Sequence, residues 1–164
     1  MIKSFLKAIL PNALIDAYHR HLALLGAMLY RHPSRSMIVI GVTGTNGKST
    51  TVNWIAQLLR SAGWRVGATS TVLLHDGKRE WLNDLKMTMP GRFALQRLLS
   101  AMRKNGCRAA VIETSSEGIK QFRHLGIEYD VAVFTNLTPE HIESHGGFEN
   151  YRRAKTELFL SLNH

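Results

Sequence analysis

Apolar residues follow two different rhythms along this chain. Through residue 35 the rhythm is helical. Phe5, Leu6, Ile9 and Leu10 share a face, Pro11 interrupts, and Leu14, Ile15, Tyr18, Leu22, Leu25, Met28 and Leu29 resume the stripe. One or two helices are predicted, ending at His32-Pro33-Ser34. Arg20, Arg31 and Arg35 give the segment a basic edge. Such a stripe either packs on the domain that follows or docks on a membrane surface, and packing is the preferred reading.

From residue 37 the rhythm alternates between strand and helix. Met37 to Val42 is a short apolar, β-branched run of the kind found in buried parallel strands. After a polar loop, Val52, Ile55, Ala56, Leu58 and Leu59 repeat at helical spacing up to Gly63. Arg65 to Val72 reads as a second strand, and Leu73 to Trp81 as a hairpin turning at Asp76-Gly77. Pro90-Gly91 precedes a helix with Phe93, Leu95, Leu98, Leu99 and Met102 inward, ending at Asn105-Gly106. Ala109–Ile112 and Val131–Phe134 are further buried strands, and Tyr151 to Leu162 is a last helix. Strands alternating with helices predict an α/β fold: a parallel sheet with helices on both faces, preceded by the N-terminal helical segment. The expected division is a helical segment, 1–35, and a nucleotide-binding domain, 36–164.

The 164 residues suit one domain, and 20% charged residues are ordinary for a globular chain. The formal net charge of +9 points to anionic partners such as phosphates. Nucleic acid is not expected, because no motif of that class is present and the tryptophans are scattered. Cys107 is the single cysteine, so no disulfide forms within the chain, and a reducing, cytoplasmic setting is expected. No apolar run reaches the roughly 20 residues of a membrane span. The first ten residues lack a small-residue cleavage site and read as part of the mature protein.

The chemistry concentrates in Gly44-Thr45-Asn46-Gly47-Lys48-Ser49-Thr50, between the first buried strand and a helix. Glycines let backbone amides turn toward an anion, and the helix N-terminus adds partial positive charge. Lys48 is placed to reach β- and γ-phosphates, and Ser49 to place its hydroxyl on Mg²⁺. The strict pattern G-x-x-x-x-G-K-[ST] is not matched, since its first glycine falls on Val42. The loop is therefore a variant P-loop for ATP, and the lysine directly after the last glycine argues against a dinucleotide. Glu113, at the end of a buried strand, is the candidate second magnesium contact. His141 and His145 stand four apart, but Ile142 follows the first of them where a zinc protease needs Glu.

These elements, with Thr114-Ser115-Ser116-Glu117-Gly118 and Thr135 to Lys155 (TNLTPEHIESHGGFENYRRAK), resemble the Mur ligases, the ATP-dependent enzymes that add amino acids to the muramyl peptide of peptidoglycan. Thr135 to Lys155 is the most specific stretch and looks most like the branch that adds the third residue, a diamino acid or lysine, to UDP-MurNAc-L-Ala-D-Glu, and Met87-Thr88-Met89-Pro90 and Gln121-Phe122-Arg123 are also similar to that branch. The resemblance covers about residues 37–162, the front part of the family's central ATPase domain. It implies that Lys48 holds the γ-phosphate, Ser49 the first Mg²⁺ and Glu113 the magnesium sites, with His141 on the second ion. Lys155 falls where the family carries a carbamylated lysine. Thr88, Ser115, Gln121 and Arg123 fall where the family holds the muramyl substrate.

The chemistry implied is amide ligation in two steps. A substrate carboxylate attacks the γ-phosphate to give an acyl phosphate, and an amine then displaces phosphate. The family's UDP-binding and closing domains lie outside these residues, so a fragment, or a chain completed by a partner, is expected. Two other readings stand beside this one. One is a folylpolyglutamate- or cyanophycin-type ligase with the same loop. The other is a non-catalytic ATP-binding module that needs a partner chain.

Overall fold

A computed structural model describes residues 11–85, 87–139 and 146–162. Six strands form one sheet: β1 (Ile38–Thr43), β2 (Val66–Thr69), β3 (Leu73–His75), β4 (Glu80–Leu82), β5 (Ala109–Glu113) and β6 (Val131–Phe134). Five α-helices accompany them among the described residues: α1 (Asn12–Leu29), α2 (Lys48–Ser61), α3 (Arg92–Lys104), α4 (Ser116–Lys120) and α5 (Phe148–Leu160). No helix among the described residues is long and apolar enough to cross a membrane.

The central strands are apolar on both faces because both faces are covered. Side chains alternate across a strand, so Val39, Ala110 and Ile112 enter one core with Leu95, Leu99 and Met102 of α3 and Leu158 of α5. Ile40, Val42, Ala109 and Val111 enter a second core with Val52 and Ala56 of α2. The strand order is β4-β3-β2-β5-β1-β6. The four strands β2, β5, β1 and β6 are parallel. The β3–β4 hairpin is antiparallel and extends the β2 edge. Its turn lies at Asp76-Gly77, as the sequence predicts, and the Asp76 carboxylate accepts hydrogen bonds from the amides of Lys78 and Arg79.

Three local readings change. The second strand stops at Thr69, short of the predicted Val72, because the Ser70 hydroxyl accepts from the amides of Val72 and Leu73 and turns the chain. The last helix starts at Phe148, three residues before the predicted Tyr151. The short α4 was not expected, and Ser115 caps it by accepting from the Gly118 amide at 3.1 Å.

α1 packs on the sheet domain through small residues. Ala23 and Ala27 are fully buried. A Cβ on Gly126, in the turn before β6, would stand 2.6 Å from the Ala27 methyl, and one on Gly26 would stand 3.6 Å from Phe93 of α3. Beyond α1, Arg103 donates to the Arg31 carbonyl at 3.1 Å.

β1 ends beside the candidate chemistry, and its own packing is tight. A Cβ on Gly41 would lie 2.9 Å from the Tyr129 ring and 3.0 Å from Leu158. Tyr129 and Leu158 are both fully buried and have little room to yield. Gly41→Ala is expected to destabilise the fold by about 1–3 kcal/mol through overpacking. Urea denaturation checks this, and an unchanged midpoint would show that the Tyr129 ring moves freely.

Candidate active site

The loop leaving β1 is held by the strand next to it. Gly44 has φ +147, and a Cβ there would come within 1.9 Å of Thr135 Oγ1. Only glycine permits this contact. Thr135 Oγ1 donates to the Asn46 carbonyl at 2.7 Å, and the Asn136 side chain accepts from the Asn46 amide at 2.9 Å while donating to its carbonyl at 3.1 Å. The Thr45 amide donates to the Asn136 carbonyl at 2.9 Å. Thr45 Oγ1 accepts from the Thr138 amide at 3.0 Å and shares a 2.9 Å hydrogen bond with the Tyr151 hydroxyl of α5. The residues after β6 and one residue of α5 therefore fix the loop's shape.

Gly47, at φ +78, is the N-cap of α2. No side chain caps that helix start, and its first turn contains no acidic residue. The helix therefore supplies no anion of its own to its positive end, and its first turn is bonded, through Ser49, by the carboxylate of Glu113 in β5. Lys48 donates to the Thr45 carbonyl at 2.6 Å. Lys155, only 2% exposed, donates to the Gly44 carbonyl at 2.6 Å and lies 4.4 Å from the Tyr151 ring centre. Burial first, and then the nearby charge of Lys48, pulls the Lys155 amine down to about 8.

Glu113, 2% exposed, lies on the other side of the helix start. Its carboxylate accepts from Ser49 Oγ at 2.7 Å, from the Thr71 amide at 2.8 Å and from Thr71 Oγ1 at 3.1 Å. A buried carboxylate beside a hydroxyl is a pair of hard oxygen donors, the kind Mg²⁺ takes alongside phosphate oxygens and water. Among the described residues no group of three or more His, Cys, Asp or Glu forms a metal cage. Thr71 Oγ1 also shares a 3.0 Å hydrogen bond with Thr88 Oγ1, linking the carboxylate to the next group of candidates.

A cavity of about 460 Å³ opens in front of the loop. Gly44, Thr45, Lys48 and Lys155 line it together with Thr88, Ser115, Gln121 and Arg123, and Glu117 and Tyr151 are among the other lining residues. The four candidate substrate residues and four candidate loop or catalytic residues thus share one space. Arg123 donates to the Met89 carbonyl and, at 2.7 Å, to Gln121 Oε1. Burial pulls the pKa of its guanidinium below the ordinary arginine value, and the group remains a cation lining the cavity. Ser115 reaches the cavity while capping α4.

Ser49 and Thr50 line a separate, smaller cleft of about 230 Å³. Asn46, Gly47 and Thr50 are exposed on the loop's outer side. His141 and His145 lie outside the described residues. The chain reading gave no role to Thr71, Thr135, Asn136, Thr138 or Tyr151, which hold the candidates in place. A pair of polar residues directly after a buried strand, here Thr135-Asn136, was the signal available for two of them.

Residues 42–164 match the family description "Mur ligase middle domain". A UDP-N-acetylmuramyl-tripeptide synthetase of Treponema pallidum (strain Nichols) is 47% identical over 139 residues, covering 84% of this chain and 26% of that protein. A UDP-N-acetylmuramoyl-L-alanyl-D-glutamate--2,6-diaminopimelate ligase of Geobacillus kaustophilus (strain HTA426) is 40% identical over 152 residues, covering 93% of this chain and 31% of that protein. The solved structure of a ligase of that second name superposes with a TM-score of 0.71 at 31% identity, covering 88% of this chain and 30% of that one. E. coli FolC in complex with DHPP and ADP superposes with a TM-score of 0.62 at 20% identity, covering 91% of this chain and 44% of that one, a likeness of fold. The chain therefore spans about a quarter to a third of the curated relatives it matches, and it belongs to the Mur ligase family, within the family's middle domain.

Proposed function

We propose that this chain is the nucleotide-binding part of an ATP-dependent carbon–nitrogen ligase that extends the muramyl peptide of peptidoglycan precursors. The observation that carries the reading is the single cavity joining the glycine–lysine loop to Arg123 and Gln121. In that one space Lys48 and Lys155 would offer cations to a phosphate donor and Arg123 a cation to an acidic acceptor, with Glu117 also in the lining. The names of the two relatives support the acceptor class, a UDP-muramyl dipeptide. We keep the division into a segment of residues 1–35, of which the expected helix through Phe5, Leu6, Ile9 and Leu10 lies outside the described residues, and a domain of residues 36–164. The ligation as a whole is proposed for the longer protein, or for an assembly with a partner chain that supplies the rest of the relatives' length. The reading carries with it a cytoplasmic setting.

Residues 44–50 would hold the nucleotide phosphates, with Lys48 exchanging its bond to the Thr45 carbonyl for phosphate oxygens. Ser49 and Glu113 would hold Mg²⁺, and His141 is proposed, on resemblance alone, for a second ion. When bound, MgATP supplies the phosphoryl group that activates a carboxylate for attack by an amine. Arg123 and Gln121, already bonded to one another, present a preformed donor set to an acidic substrate, with Thr88 and Ser115 along the same wall.

Lys155 is proposed as a carbamate. An amine titrating at about 8 is roughly one-tenth neutral at pH 7, against well under a thousandth for an ordinary lysine. Only the neutral amine adds CO₂, and the product replaces a buried cation next to Lys48 with an anion. Carbamate formation therefore rises with pH through about 8 at fixed dissolved CO₂.

Three measurements test the reading. Lys48→Ala is expected to weaken MgATP binding about tenfold or more in a calorimetric titration, because a charge-assisted bond to phosphate is lost. Equal affinity would remove the phosphate-loop assignment. Glu113→Gln keeps the shape of the side chain and removes its charge. It is expected to shrink the gain in nucleotide affinity that Mg²⁺ gives the parent chain, and an undiminished gain would leave Glu113 a strand-end residue. In ¹³C-bicarbonate NMR the parent chain is expected to show a carbamate resonance that Lys155→Met abolishes. A resonance that persists in Lys155→Met would assign the carbamate elsewhere.

A further inference from the structure

The turn after α4 breaks a local rule. Its hydrogen bonds end the helix in a Schellman pattern: the Phe122 amide donates to the Ile119 carbonyl at 2.8 Å and the Arg123 amide to the Gly118 carbonyl at 2.9 Å. The residue that turns left-handed in this pattern is ordinarily glycine, because a Cβ there crowds a neighbouring carbonyl. Here it is Phe122, at φ +57. A bulky residue keeps that conformation only where the surrounding structure imposes it. Its sequence neighbours, Gln121 and Arg123, line the cavity in front of the phosphate loop, and Phe122 does not. Phe122 instead lines a cleft of about 490 Å³ shared by α1, α4 and α5.

Two helices impose the turn. From α1, the Arg20 guanidinium lies over the Phe122 ring, 4.5 Å from its centre. Seven residues on, along the same face of that helix, Ala27 meets Gly126, where a Cβ would stand 2.6 Å from its methyl. From α3, Gln96 donates to the Gly126 carbonyl at 3.1 Å, and Arg92 donates to the Gln121 carbonyl. His124, directly after Arg123, is buried. The turn is thus held at 121–122 and again at 126, and Arg123 stands between the two holds.

We propose that Arg20 and Phe122 are positioning residues, which keep the left-handed turn that aims Gln121 and Arg123 at an acidic acceptor. This rests on the reading of the cavity given above. Neither residue lines the cavity, so both act through the pair that does. Glycine at position 122 would adopt the turn without strain and would leave it as readily. A ring stacked under a guanidinium selects one arrangement, since the cation is attracted to the face of the ring. Arg123, which donates to the Met89 carbonyl and to Gln121 Oε1, then meets a carboxylate already oriented, and less ordering is left for binding. Arg20 is exposed and Phe122 half-buried, so this role is separable from the core.

The test is ¹⁵N NMR of the 164-residue chain, titrated separately with UDP-muramyl dipeptide to millimolar concentration and with MgATP. The variants are Arg20→Ala and Phe122→Gly, the second being the substitution a left-handed turn accepts best. Each is expected to weaken dipeptide binding about threefold or more, the scale of a lost guanidinium–ring stack, and to leave MgATP affinity unchanged. Phe122→Tyr keeps the ring and is expected to bind the dipeptide as the parent does. If Phe122→Gly does not fold, Phe122→Asn, which also enters the left-handed region, replaces it. Dipeptide binding unchanged in either Arg20→Ala or the position-122 variant overturns the proposal and leaves the acceptor reading standing. A loss shared equally by dipeptide and MgATP, as a merely structural role would produce, overturns it as well. A parent chain that binds MgATP and not the dipeptide overturns the acceptor reading itself, and the proposal with it.

Discussion

The close approach of Gly44 to Thr135 is the contact on which the candidate site depends. With Thr135 Oγ1 where a Cβ would stand, the end of β1 and the end of β6 are pressed together as only a side-chain-free residue allows. That contact brings Thr135 and Asn136 within reach of the Asn46 backbone, so the loop is shaped by hydrogen bonds from a strand some 90 residues away. The parallel neighbour relation of β1 and β6 is therefore part of the site as well as part of the fold. Loop and helix start arrive preformed, and less ordering is left to be done when a ligand binds.

Two lysines stand close together at the phosphate loop. Lys48 and Lys155 donate to carbonyls of adjacent residues, Thr45 and Gly44, and the charge of one depresses the other. The uncapped start of α2 adds partial positive charge to the same place. Burying Lys155 beside another cation is unfavourable for the isolated fold, and such an arrangement is retained where the group has a chemical task. The hydrogen bonds of Glu113 go to Ser49 and Thr71.

What the sequence made legible was local chemistry. Gly44, Gly47, Lys48 and Ser49 stand within six residues of one another, between a buried strand and a helix, and each is interpretable from its own type. β1 and β5 were legible because burial on both faces removes polar residues from them, whereas Val131–Phe134, read as a further buried strand, is the edge strand β6 with Val131 and Phe134 exposed. The unread part is tertiary. Tyr151 meets Thr45 across 106 positions, and Thr71 meets Glu113 across 42. Nothing in their own neighbourhoods marks either as part of a site. The short α4 escaped because five residues are too few for a periodic signal, although Ser115, its cap, was already singled out for another reason. The Ser70 turn that shortens β2 escaped because serine looks neutral in a strand until its hydroxyl is seen accepting two amides.

The N-terminal helix separates two meanings of amphipathic. Read as a stripe, Leu14, Tyr18, Leu25 and Leu29 looked like the residues that would pack on the domain, since large apolar residues usually face inward. The fold does the reverse. Glycine and alanine approach α3 and the Gly126 turn closely, because only small side chains let those backbones come so near, and the large residues are left outside. Close packing of small residues fixes the position of α1 firmly while burying little area, so the helix presents its larger apolar face on a rigid base. A face held in this way keeps one orientation relative to the cavity, and whatever covers it is registered against the site.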